Sequence, residues 1–61
     1  MAKINKAVLI IEESISKMEQ REEYLIIIGM LNMAYRLNRL TFYERRGLMA
    51  KLDEKVDALK N

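Results

Sequence analysis

One helix-length segment of this chain is apolar on two of its three sides, and that restricts the possible folds more than any other feature. Between residues 22 and 40, read at about 3.6 residues per turn, Ile26, Met30, Met33, Leu37 and Leu40 form one stripe. Tyr24, Ile27, Ile28, Leu31 and Tyr35 form a second. Only Gly29, Asn32, Arg36 and Arg39, with Glu22 ahead of them, make a polar seam. A helix of this kind is stable when it is covered on both apolar sides. The segment therefore reads as a central helix held between partners, some of them supplied by a second chain.

Size sharpens that expectation. Sixty-one residues are near the lower limit for a single self-sufficient core, and with no cysteine and no histidine the chain has neither a disulfide nor an ordinary zinc site to brace it. A hydrophobic content of 51% is more than such a small monomer easily hides, so a homodimer or larger oligomer is expected. The longest apolar run, Tyr24 to Tyr35, contains Gly29 and Asn32 and is well short of the ~20 residues that span a bilayer. Near the start, Lys3 and Lys6 precede the short run Ala7 to Ile11, which stops at Glu12 and Glu13 and is too brief for a signal-peptide core. The expected location is cytoplasmic, with no membrane contact.

Proline is absent and glycine occurs twice, while Leu, Met, Glu, Lys, Arg and Ala dominate, which favours helices over strands joined by tight turns. A first helix is expected over residues 3–18, with Ile4, Val8, Ile11, Ile15 and Met18 as its seam and Ala7 beside it. The competing reading is a strand over 7–11, where β-branched residues cluster. Continued unbroken, that seam would run through Glu22, Leu25, Gly29, Asn32, Arg36 and Arg39, almost all of it polar. The apolar face thus changes sides within residues 16–23, and a chain reversal there restores a common core. Ser16 and Glu19 have capping-box spacing for a second helix over 21–39, and one bent continuous helix is the alternative. Thr41 and Glu44 repeat the Ser/Thr-x-x-Glu pattern and predict the start of a third helix over 42–60. Its seam is Phe42, Met49, Leu52, Val56 and Leu59, with Leu48 beside it; Gly47 weakens its first turns by about 1 kcal/mol relative to alanine, unless close packing requires it.

The expected fold is accordingly all-α: one domain over 1–61, three antiparallel helices forming a helical bundle, and a homodimer formed through helix 2, with Ile26, Met30, Met33 and Leu37 as the oligomer interface. The plan resembles that of small dimeric helical-hairpin regulators in outline only. No motif ties the chain to one family, and no residue role follows from the likeness.

Charge is segregated. Residues 12–23 hold Glu12, Glu13, Glu19, Glu22 and Glu23 against Lys17 and Arg21; residues 36–46 hold Arg36, Arg39, Arg45 and Arg46 against Glu44. In an up-down-up arrangement the arginine junction meets the N-terminal Lys3 and Lys6 at one end, making a basic pole on a chain of net charge only +2.

Catalytic chemistry has little to work with. No histidine is present to activate Ser14, Ser16 or Thr41, and the adjacent pairs Glu12-Glu13 and Glu22-Glu23 diverge by about 100 degrees on a helix, so neither makes a shared-proton dyad. No cofactor or metal is expected. Met30 and Met33 suit either core filling or a surface that adapts to a partner. Arg36, Arg39, Arg45 and Arg46, with Tyr43 nearby, suit phosphates, stacked bases or an acidic protein surface, or else a solvated face paired with a neighbouring subunit. The function expected is that of a small non-enzymatic regulator or inhibitor, such as a bacterial or phage accessory protein, that occupies a surface of a larger protein. The alternatives are a nucleic-acid-binding accessory protein using the arginine pole and a structural assembly subunit.

Overall fold

The computed structural model describes residues 5–59, and over them the chain forms three helices, α1 (Lys6–Ser16), α2 (Glu23–Arg36) and α3 (Phe42–Ala58), each in contact with the other two. Ile4 and Lys3, assigned above to the first seam and the basic pole, lie outside the described residues, as does residue 60 at the expected end of helix 3. Residues 7–11 are helical, so the competing strand reading does not hold.

All three helices are shorter than periodicity suggested, because the junctions obey local hydrogen bonding that a hydrophobic pattern does not register. α1 ends at Ser16, which is the last helical residue and does not cap α2. Its carbonyl oxygen accepts from the Lys55 ammonium at 3.2 Å. The Glu23 carboxylate instead holds the turn, reaching back to accept the amides of Glu19 and Gln20, both at 2.8 Å. Met18, just past the helix end, turns into the core, and α2 starts after Glu22 with no side-chain cap of its own. The helix is interrupted between Ser16 and Glu23, so the two segments do not form one bent helix.

The α2–α3 junction follows the expected chemistry on one side and adds a device on the other. Thr41 Oγ1 accepts the Glu44 amide at 3.1 Å while the Glu44 carboxylate accepts the Thr41 amide at 2.8 Å, a complete capping box. At the end of α2, Asn38 takes a left-handed conformation (φ 59°), the Asn38 amide donates to the Tyr35 carbonyl at 3.1 Å, and the Arg39 amide donates to the Ala34 carbonyl at 2.8 Å. That is the Schellman pattern of helix termination, with asparagine taking the place glycine usually holds.

The buried core is Ile11, Ile15 and Met18 from the first segment, Ile27 and Leu31 from α2, Leu40 from the junction, and Leu48 and Leu52 from α3. The seam of α3 is therefore centred on Leu48 and Leu52; Phe42 is exposed and Met49, Val56 and Leu59 pack at the margin. Glu12 pairs with Lys51 across the α1–α3 contact. A Cβ built on Gly47 meets nothing within 4 Å, so no close approach requires glycine there. Gly47→Ala should raise stability by about 1 kcal/mol, read as a higher urea midpoint with an unchanged slope. An unchanged or lower midpoint would mean that α3 does not begin as a regular helix at this position.

Candidate interaction surface

Both apolar stripes of α2 are real, but the bundle covers only one of them. Ile27 and Leu31 are 4% and 0% exposed, with Tyr24 and Ile28 half-buried beside them. On the other stripe Ile26, Met33 and Leu37 are 66%, 60% and 62% exposed, and Met30 is half-buried. Of that stripe only Leu40, beyond the helix end, enters the core. Core filling therefore does not account for Met33. Ile10 of α1 is also exposed, and together with Ala7, Met30, Met33, Leu37 and Arg39 it borders a shallow groove of ≈300 Å³ between α1 and α2. The sequence reading missed Ile10, along with Leu25 at the start of α2, which is also exposed. The signal that could have found Ile10 is its offset from the α1 seam of Val8, Ile11 and Ile15.

The basic end is organised by Asn5, a residue that periodicity does not single out. Its Oδ1 caps α1 by accepting the amides of Ala7 at 2.9 Å and Val8 at 3.4 Å. Its Nδ2 donates to the Arg39 carbonyl at 2.9 Å and to the Glu44 carboxylate at 3.1 Å. One side chain thus ties the start of α1 to the end of the α2 turn and to the capping box of α3. Lys6, Arg36, Arg39 and Arg46 are exposed around this junction. Phe42 and Tyr43 lie there too, edge to face with ring centroids 5.8 Å apart, and Tyr43 is 81% exposed.

Arg45, grouped above with Arg36, Arg39 and Arg46, does not share their exposure. It is half-buried, its guanidinium lies 5.2 Å from the centroid of the Tyr35 ring, and Nη2 donates to Asn32 Oδ1 at 3.4 Å. Its Nε is buried with no hydrogen-bond partner among the described residues. A guanidinium is weakly hydrated and stacks well on an aromatic face, so Arg45 serves as a strut between α2 and α3. Three arginines, Arg36, Arg39 and Arg46, are left facing solvent at this end.

The glutamate pairs are largely taken up by structural contacts. Glu12 holds Lys51, Glu13 holds Lys17 at 3.1 Å, and Glu23 holds two backbone amides, while Glu22 is exposed. The Glu19 and Gln20 amides lower the Glu23 carboxyl below its ordinary value, against a small opposing effect of burial. Glu44 is lowered first by the Thr41 amide, against burial, with Asn5 and the Thr41 hydroxyl adding to the lowering. For a carboxylate depressed in the folded state, the stabilisation is complete above the unfolded-state value and disappears as pH falls through the folded one. The urea midpoint should hold steady from about pH 7 downward, then fall below the ordinary glutamate value of 4.5, and Glu44→Gln should flatten part of that decline. A midpoint independent of pH down to about pH 3 would contradict both contacts.

Among the described residues no three potential ligands are grouped to hold a metal, and no helix is long and apolar enough to cross a membrane. Comparison with protein families, curated proteins and solved structures gives no match for this chain.

Proposed function

We propose that this chain is a non-enzymatic interaction protein, a small regulator or inhibitor that binds an acidic surface of a larger protein through its basic, aromatic end. The supporting observation is that the α2–α3 junction, tied by Asn5 and the Thr41–Glu44 capping box, is flanked in the chain by exposed Arg36, Arg39 and Arg46 and carries the exposed pair Phe42 and Tyr43. Arginine and tyrosine are enriched where protein surfaces bind tightly, and a preformed junction loses little freedom on binding. Arg45 belongs to the proposal as a support for this end. The same proposal takes the helices to alternate in direction, which the bonds from Asn5 to the α2–α3 junction and from Lys55 to Ser16 favour. It takes the domain to be cytoplasmic and a homodimer; the open stripe of Ile26, Met30, Met33 and Leu37 favours the self-association.

The second reading, nucleic-acid binding, draws on the same arginines and aromatics. The protein partner is preferred because a net charge of +2 exerts little long-range attraction on a polyanion. Affinity capture from the source cells should recover one dominant protein, and the double change Arg36→Glu with Arg46→Glu should abolish that recovery without altering helical circular dichroism. If recovery is instead sensitive to nuclease, and a labelled random oligonucleotide binds with a log–log salt slope of about −2 to −3, as expected for three neutralised phosphates, the nucleic-acid reading replaces it.

A further inference from the structure

We propose that the open stripe of α2 pairs with the same stripe of a second copy of this chain, the two helices running in opposite directions, with Arg39 of each copy near Glu22 of the other. This deepens the self-association in the proposed function and rests on it.

The spacing of the stripe is the first argument. Ile26, Met30, Met33 and Leu37 are separated by four, three and four residues, the alternation by which two helices interlock side by side. That pattern reads the same in reverse. A second copy turned end for end therefore sets Ile26 opposite Leu37 and Met30 opposite Met33 at both ends of the contact, as a twofold interface requires. Ile26, Met33 and Leu37 are all exposed, so the pairing needs no rearrangement of the core. Ile10 of α1, across the groove from Met33 and Leu37, widens the apolar contact on one flank.

Charge selects the direction. The exposed acids Glu19 and Glu22 precede the stripe, and the exposed bases Arg36 and Arg39 follow it. Glu22 lies one turn before Ile26, and Arg39, two residues after Leu37, lines the same groove as Leu37. Two copies in the same direction would place acid against acid and base against base, whereas reversed copies place each acidic end against a basic one. An unrelated apolar helix would satisfy the stripe but not both charged ends. This chain carries the complement of its own charge pattern, in the register that its apolar spacing already sets.

The chain contains no cysteine, which makes its orientation directly readable. Ile26→Cys and Leu37→Cys chains, one of them labelled with nitrogen-15 because the two variants have equal mass, are mixed and treated with a short bismaleimide. The expected product is predominantly the mixed 26-to-37 dimer. In sedimentation equilibrium, Arg39→Glu should weaken dimerisation roughly threefold to tenfold, because the lost pair occurs twice in a twofold dimer, and adding Glu22→Arg should restore most of it. If 26-to-26 and 37-to-37 products dominate, or if a dimeric sample yields no mixed product, the reversed pairing is wrong and self-association stands. A mass of 7.2 kDa at every concentration would overturn both.

Discussion

Leu31→Asp should abolish the helical circular dichroism of this protein, while Met33→Asp, two residues away on the same helix, should leave it intact. Leu31 is fully enclosed, and an unpaired carboxylate there costs several kcal/mol or forces protonation. At roughly 0.05–0.15 kcal/mol per residue, a chain of 61 residues has about 3–9 kcal/mol of stability to lose. Met33 is 60% exposed, so its replacement leaves the carboxylate in water and the core undisturbed. Its effect should appear in light scattering, as loss of the proposed dimer. The contrast tests which stripe of α2 faces inward. Unfolding of both variants would mean that both stripes are needed for the fold itself and that dimerisation and folding are one process.

Asn5→Ala should be the most damaging substitution of a polar residue. Losing a helix cap costs about 0.5–2 kcal/mol, the range also expected for Thr41→Ala. Asn5 additionally donates to the Arg39 carbonyl and the Glu44 carboxylate, and each such bond contributes a further ~0.5–1.5 kcal/mol. The sum, about 1.5–5 kcal/mol, is a large share of the total. Asn5→Asp separates the two roles. Aspartate caps as well as asparagine does but cannot donate, and it brings a second negative charge to Glu44. Asn5→Asp should therefore be destabilised nearly as much as Asn5→Ala, as measured by urea denaturation at neutral pH. Wild-type stability in Asn5→Asp would show that Asn5 acts as a simple cap and that the links to α2 and α3 contribute nothing.

The features legible from sequence were those set by near neighbours along the chain. Helical spacing over Val8, Ile11 and Ile15, the change of apolar side before α2, and the reciprocal Thr41 and Glu44 bonds each involve residues a few positions apart. A sequence pattern encodes such relations directly. Even so, the start of α2 went to the wrong residues. Ser16 and Glu19 have the right spacing, but Glu23 captures the turn amides from the other side, and spacing alone does not choose between two local solutions.

Tertiary structure decided what local pattern leaves degenerate. Both stripes of α2 are apolar enough to be buried, and the one that joins the core is the one that α1 and α3 can reach together with Leu48 and Leu52. Arg45 and Arg46 are neighbours of identical type; packing turns one onto Tyr35 and leaves the other in water. Asn5 bonds to residues 34 and 39 positions away, a relation that exists only after the chain has closed. Periodicity tells how much of a helix must be covered, but which side is covered from within depends on where the other helices have room to pack, and a chain this short has only enough apolar surface to cover one.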